Sequence, residues 1–161
     1  MKKLKEQPES ITTIRFQDCD PYGHLNNSKY LDYLINARED HLLEHYDFNM
    51  YQFSKEHNSS WVVSKNEIIY KYPATAFEKV LIRTQLIEYS NLKLKIEMVM
   101  FDEKAQKLKA LLWMDMFFID FKTLKIKKHS DDLLNLFERV VSPIESKKIE
   151  ERIKNILGTS K

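Results

Sequence analysis

Apolar and polar residues alternate most strictly over Leu92–Met100, where leucine, isoleucine or methionine occupies every second position and lysine or glutamate most of the others. Such alternation is typical of a strand with one buried face and one wet face. Asn91 and residues 102–106 supply turns on either side. Long strands that form an antiparallel meander are predicted for four segments: Trp61–Tyr72, Lys79–Tyr89, Leu92–Asp102 and Lys107–Phe121.

Residues Asn27–Tyr46 repeat their apolar positions at helical spacing, on more than one face, and no glycine or proline interrupts them. A long helix is predicted there, with Asn26 or Asn27 capping its first turn. A strand is predicted before it over Ile11–Cys19, and Phe48–His57 is either a short helix or an ordered loop. Two terminal helices complete the pattern: Ser130–Val140 and Ile144–Leu157.

These elements predict an α+β domain in which a curved antiparallel sheet wraps around one long central helix. No linker or repeat divides the chain, so a single domain is expected over residues 1–161, with a core at about 10–122 and a C-terminal helical extension at about 130–157. The last strand is apolar on both faces around Trp113–Ile119, which favours a central position or a subunit contact.

Composition excludes several classes of protein. The chain has 161 residues but only two glycines, and it has neither a glycine-rich phosphate loop nor a dinucleotide-binding G-x-G-x-x-G. A net charge of +2 is too small to predict nucleic-acid binding. The single cysteine, Cys19, cannot form an internal disulfide, and no metal site is expected. The longest apolar run, Ala110–Met114, is far shorter than a membrane span, and no apolar signal segment follows the charged start, so we expect a cytoplasmic protein without a membrane partner.

Unusual residues concentrate in the segment DCDPYGHLNN, which runs from Asp18 to Asn27. A tight turn through Pro21 and Gly23 is predicted there, followed at once by the long helix. The start of a helix exposes unpaired N–H groups and a partial positive charge, which stabilise an oxygen that gains negative charge. Asp20 lies just ahead, so its carboxylate is a candidate to attack, or direct water onto, a polarised carbonyl. The alternative is structural: Asp20 satisfies backbone donors of the turn, and the asparagines only cap the helix.

The segment DCDPYGHLNNSKYLDYL resembles the signature D-x-D-x-x-G-H-x-N-N-x-x-Y of hotdog-fold thioesterases of the 4-hydroxybenzoyl-CoA thioesterase type. The resemblance covers about residues 10–122 and includes IIYKYPATAF, which is similar to the Tyr-x-x-Pro-Ala segment of that family. Every specified signature position matches: Asp18, Asp20, Gly23, His24, Asn26, Asn27 and Tyr30.

The resemblance implies hydrolysis of an acyl thioester, carried by coenzyme A or by acyl carrier protein, without a cofactor. It implies that Asp20 is the catalytic nucleophile or general base and that His24 is a second catalytic candidate. Asn27 is then near the backbone N–H that polarises the carbonyl. The positions that the resemblance assigns to substrate binding are Gly23, Asn26, Asn27 and Tyr30.

Two positions depart from the family pattern. Tyr22 stands where the related plant acyl-carrier-protein thioesterases carry an asparagine, which ranks His24 below Asp20. Phe77-Glu78 stands where a Gly-Asp pair is common, and this change is expected to reshape the mouth of the substrate site.

The resemblance also implies a homodimer or homotetramer in which each cleft is built from two chains. A hotdog dehydratase is a weaker hypothesis, because the H-F-P-G type of motif of such enzymes is absent. A non-catalytic acyl-binding or scaffold protein is the other alternative, and Asp20 argues against it. Several aromatic and methionine side chains are candidates to line an acyl tunnel, or simply to form the core: Tyr30, Tyr33, Met98, Met114, Met116 and Phe117.

Overall fold

Five strands and four helices make up the structure, a computed structural model that describes residues 4–158. The elements are, in chain order, β1 (Glu9–Thr13), α1 (Asn27–Tyr46), α2 (Met50–His57), β2 (Ser59–Tyr70), β3 (Lys79–Tyr89), β4 (Lys93–Asp102), β5 (Leu108–Asp120), α3 (Asp131–Val140) and α4 (Ile149–Gly158). The strands pair antiparallel in the order β1-β3-β4-β5-β2. The predicted α+β class, with a sheet packed on a central helix, is confirmed.

The predicted four-strand meander holds for β3, β4 and β5 only. β2 pairs with β5, from Ser59 opposite Asp120 to Tyr70 opposite Ala110, and does not pair with β3, which follows it in the chain. Alternation predicts a strand but not its neighbour, so the crossover was not visible in the sequence. As a result β2, a strand of 12 residues, forms one edge of the sheet.

The first strand is shorter than predicted. β1 ends at Thr13, and residues Phe16–Asp18 form a single turn of 3₁₀ helix in place of the expected continuation to Cys19. The reason lies in burial, because Ile14 is fully buried whereas Phe16 is 67% exposed, so the alternation does not continue. The chain therefore leaves the sheet before the turn that carries the candidate carboxylate.

Helix α1 has the predicted bounds, and its buried side is a stripe of four residues with spacings of four, three and four: Tyr30, Leu34, Ala37 and His41. This stripe packs on the inner face of the sheet, against side chains such as Met98, Met100 and Leu112. The opposite side is wetter than the sequence suggested, since Leu43 is 48% exposed. Asp47 in a left-handed conformation ends the helix, with its N–H donating to the carbonyl of Leu42.

The two terminal helices cover opposite faces of the sheet. α3 begins after Ser130, whose Oγ accepts a hydrogen bond from the Leu133 N–H, and its apolar side joins the inner core. α4 begins at Ile149, later than the predicted Ile144, and packs Ile149 and Ile153 on the outer face.

The central position predicted for the last strand is confirmed, because β5 lies between β4 and β2. Its outer-face residues Leu111 and Trp113 are buried beneath α4 within one chain. The two apolar faces of β5 therefore do not by themselves require a subunit contact, contrary to the reasoning from sequence.

A buried ion pair fixes α4 to the outer face. Arg152 of α4 donates from Nε and Nη2 to the two carboxylate oxygens of Glu97, each at 2.9 Å. Glu97 is 1% exposed and also accepts hydrogen bonds from Trp113 Nε1 at 2.8 Å and Gln85 Nε2 at 2.7 Å. With both oxygens satisfied, the carboxylate is tolerated under the helix.

Candidate active site

A tight turn joins the 3₁₀ segment to α1. Cys19 and Leu25 form an antiparallel bridge, and within the loop the Asp20 N–H donates to the His24 carbonyl at 2.8 Å. Gly23 has φ +77°, a conformation that a glycine adopts without strain. Its carbonyl accepts from the Ala76 N–H, and the Leu25 N–H donates to the Ala74 carbonyl, so residues 74–76 hold the turn in place.

The carboxylate of Asp20 is fixed by its own turn. Oδ1 accepts from the backbone N–H groups of Tyr22 at 2.9 Å and His24 at 3.0 Å. Oδ2 accepts no hydrogen bond from any residue between 4 and 158. One oxygen thus sets the orientation of the group, and the other remains available to a water molecule or a substrate.

The first turn of α1 is not capped by a side chain. Asn26 is the residue before the helix, but its side chain makes no capping hydrogen bond, so the predicted cap by Asn26 is wrong. The backbone N–H of Asn26 donates a hydrogen bond to the Asp18 carbonyl at 3.0 Å. The helix starts at Asn27, where the positive end of the helix dipole points toward the loop.

A cavity of about 400 Å³ lies at this helix start. The structure brings five of the six predicted site residues to its wall, namely Asp20, His24, Asn26, Asn27 and Tyr30. Gly23 is not on the wall, so its contribution is the shape of the turn. The start of a helix and a fixed carboxylate beside one cavity form an arrangement suited to adding water to a polarised carbonyl.

Within the wall, His24 and Tyr30 differ in their surroundings. His24 is exposed, with its backbone tied to Asp20 and to residue 75. Tyr30 is 2% exposed, and its hydroxyl accepts from the Ala74 N–H at 3.0 Å. Burial raises the pKa of Tyr30, so its hydroxyl is uncharged at neutral pH.

Besides Leu25 of the turn, four consecutive wall residues were not assigned a role from the sequence: Tyr70, Lys71, Tyr72 and Pro73. They come from the end of β2 and the segment after it, where the Tyr-x-x-Pro-Ala pattern was the available signal. The Tyr70 hydroxyl donates to the Asn27 carbonyl at 3.1 Å, and its ring meets Tyr30 edge-on at 5.1 Å between centroids. The end of β2 is thereby joined to the helix start.

Asp18 and Cys19, which precede Asp20 in the chain, have surroundings that suit structural roles. Asp18 accepts a 2.6 Å hydrogen bond from the Tyr33 hydroxyl, which in turn accepts from the Arg15 N–H. Cys19 has a pKa raised by burial and, to a lesser degree, by Asp18 and Asp20, which disfavours the reactive thiolate.

Neither departure from the family pattern lies on the wall of the Asp20 cavity. The Tyr22 ring is 87% exposed and is not on the cavity wall. Phe77 has φ +65°, so it keeps a backbone conformation suited to glycine, and its exposed ring stacks on Phe16. Glu78 pairs with the buried Lys109 at 2.7 Å and accepts from the Thr75 N–H, which anchors the segment that holds the turn.

A second, apolar cavity of about 200 Å³ lies further along the molecule. The C-terminal half of α1, α2, α3 and the inner face of the sheet enclose it. Of the tunnel candidates, Met98, Met114 and Met116 line this cavity. Tyr33 and Phe117 line neither cavity.

Within residues 4–158, no cluster of histidine, cysteine and carboxylate side chains has the arrangement of a metal site. None of the helices in that range combines the length and apolar character needed to cross a membrane.

Comparison with known proteins identifies relatives among the thioesterases. Residues 14–137 match the family model of the thioesterase-like superfamily. The long-chain acyl-CoA thioesterase FadM of Escherichia coli is 30% identical over 128 residues, which span 80% of this chain and 95% of FadM. The matched family region ends within α3, so α4 lies beyond it.

Solved structures agree with this result. The probable thioesterase YbaW of Escherichia coli superposes with a TM-score of 0.71 at 28% identity, over 83% of this chain and 98% of that one. The DHNA-CoA thioesterase of Staphylococcus aureus superposes with a TM-score of 0.73 over 96% and 95% of the two chains, and its 18% identity supports the fold alone. The fold is the hotdog arrangement that the sequence resemblance implied.

Proposed function

We propose, since the chain belongs to the thioesterase-like superfamily, that it hydrolyses long-chain acyl-coenzyme A thioesters at the cavity that Asp20 lines. The chain is a thioester hydrolase. What we propose is which acyl chain it cleaves, which carrier holds that chain, and which residues are catalytic. The observation that carries the proposal is the free Oδ2 of a carboxylate whose Oδ1 is fixed, beside a helix start without a side-chain cap. The long-chain specificity rests on the relative FadM and on the apolar cavity.

The proposed reaction follows from these groups. Asp20 takes a proton from a water molecule, and the hydroxide adds to the thioester carbonyl carbon. The oxyanion accepts hydrogen bonds from the N–H groups at the start of α1, with that of Asn27 first among them. The carbon–sulfur bond then breaks and the proton held by Asp20 passes to the thiolate, so the products are the free acid and coenzyme A and the carboxylate is regenerated. His24 remains the second catalytic candidate, because this exposed residue lines the same cavity.

We further propose that the working form is a dimer built through β2. The middle of this 12-residue edge strand, residues 62–66, is exposed, and such edges pair readily with another strand. β2 runs from the apolar cavity at Trp61 to the Asp20 cavity at Tyr70. Antiparallel pairing of two β2 strands about their middle sets the carboxylate cavity of one chain against the apolar cavity of the other.

The substrate proposal is tested by measuring thiol release from acyl-coenzyme A substrates of increasing chain length. We expect kcat/KM to rise with length by up to about fourfold per buried methylene until the cavity is filled. Absence of free thiol at every length contradicts the hydrolase assignment, and a flat profile contradicts the long-chain assignment.

Two neighbouring valines supply a matched pair of variants. Val63 lines the apolar cavity, whereas Val62, on the same exposed stretch, does not. We expect Val63→Trp to lower kcat/KM for long chains and leave short chains unchanged, and Val62→Trp to have neither effect. Equal effects of the two variants exclude the cavity as the acyl site.

A further inference from the structure

Residues 121–128, FKTLKIKK, form a surface segment that we call the basic turn. All eight residues are exposed, and three of them are apolar: Phe121 at 42%, Leu124 at 76% and Ile126 at 52%. The other positions are threonine and four lysines, with no carboxylate, so the basic turn carries twice the net charge of the whole chain. Large exposed apolar residues interleaved with lysines are the composition of an interaction surface and not of an ordinary solvated loop.

The basic turn is ordered, so the exposure of its apolar side chains is a property of the fold. Asp120 Oδ1 accepts from the N–H groups of Lys122 and Thr123, each at 2.9 Å. The Leu124 N–H donates to the Asp120 carbonyl at 2.8 Å, and the Asp120 N–H donates to the Lys125 carbonyl at 2.9 Å. Leu124 has φ +56°, an unfavourable conformation for leucine that these hydrogen bonds enforce.

Three of the lysines are available to a partner. Lys127 lies 3.9 Å from the Asp120 carboxylate and donates to Ser59 Oγ at 3.0 Å. Lys122, Lys125 and Lys128 form no ion pair with another residue in the described part of the chain. The positive charge of these three lysines is therefore available to a binding partner.

We propose that the basic turn docks on membranes that contain anionic lipid, with its lysines among the headgroups and Leu124 and Ile126 in the interfacial layer. A second copy of the chain is a poor partner, because a symmetric contact opposes lysines to lysines. A folded acidic protein needs pockets that match a protruding Leu124, whereas a lipid interface accepts such side chains without a preformed pocket. The sequence expectation of no membrane partner rested on the lack of a spanning segment, and a surface turn escapes that criterion.

Docking at this turn brings one end of the molecule to the lipid. The Phe121 N–H donates to the Asn58 carbonyl at 2.9 Å, directly after α2. Met50, at the other end of α2, and the preceding Phe48 line the apolar cavity. If the proposed function holds, docking therefore places the acyl cavity near the phase into which a fatty acid product partitions; the docking itself does not depend on that function.

The test is co-sedimentation of the full chain with vesicles of phosphatidylcholine alone and of phosphatidylcholine with phosphatidylglycerol. We expect binding to the anionic vesicles only, with affinity falling as salt increases. Lys122→Gln with Lys125→Gln should weaken binding about thirtyfold, at roughly fivefold per lysine. The control is Lys104→Gln with Lys107→Gln in the exposed turn between β4 and β5, which should change binding less than twofold.

The apolar contribution is measured with Leu124→Asn combined with Ile126→Thr. Asparagine tolerates the left-handed conformation at position 124, and threonine keeps the β-branch at 126, so folding is preserved. We expect at least tenfold weaker vesicle binding with unchanged melting temperature and unchanged sedimentation as an oligomer. Equal binding to neutral and anionic vesicles, no binding to either, wild-type binding by either variant pair, or dissociation of an oligomer by the apolar pair overturns the proposal.

Discussion

Replacing Arg152 by methionine should strongly destabilise the protein, because it leaves the Glu97 carboxylate buried without its cation. Glu97 is 1% exposed, and Arg152 provides two of its four hydrogen bonds. Breaking a buried pair by removing one partner costs about 3–5 kcal/mol. For a chain of this length, 1 kcal/mol corresponds to a shift of about 2–4 °C, so we expect the melting temperature to fall by about 6–20 °C.

The assay is thermal and urea unfolding of Arg152→Met beside a surface control. Arg83 pairs with Glu9 at 2.6 Å, but both side chains are about a third exposed, so Arg83→Met should cost less than about 1 kcal/mol. Adding Glu97→Gln to Arg152→Met removes the uncompensated charge and should recover part of the loss. A change below about 1 kcal/mol for Arg152→Met refutes the conclusion that this pair fixes α4 to the sheet.

Two further predictions concern pH and assembly. The pKa of His41 is lowered to about 4, mainly by burial, so the unfolded chain takes up a proton below pH 6.5 that the folded chain does not. Stability should therefore fall by up to about 3 kcal/mol between pH 6.5 and 4, and His41→Gln should flatten this dependence in denaturant titrations. Light scattering at micromolar concentration should give a dimer, and Ser64→Lys, in the exposed middle of β2, should weaken that dimer at least tenfold by opposing like charges; a wild-type monomer with full activity contradicts the proposed β2 pairing.

The fold was predictable where periodicity is long and regular. The bounds of α1 and β3 were predicted without error, because uninterrupted helical spacing and long alternation each specify one kind of element. The pairing of β2 with β5 was not predictable, since it depends on how residues 71–78 cross the sheet. The covering of Trp113 by α4 also escaped the sequence, because one apolar face is compatible with a helix of the same chain or with a second chain.

The candidate site was largely predictable because it is local. Asp20, His24, Asn26 and Asn27 lie within eight consecutive residues, so one turn and one helix start bring them together. Tyr70 and Pro73 come from more than forty residues away, and only the fold places them on the same cavity. The capping role predicted for Asn26 from the local sequence was wrong. Asparagine is a favoured capping residue, but the Asn26 side chain makes no capping hydrogen bond.

The most direct test of the central claim is the turnover number of Asp20→Asn. The change keeps the size and the turn hydrogen bonds of Asp20 but removes its charge, so kcat should fall by about two to four orders of magnitude. Asp18→Asn is the matched control: Asp18 bonds to Tyr33 and does not line the cavity, so its loss should change kcat by less than about tenfold. Both variants should retain a cooperative melting transition. Near wild-type hydrolysis by Asp20→Asn, or equal losses in the two variants, contradicts the account and reduces Asp20 to a residue of the turn.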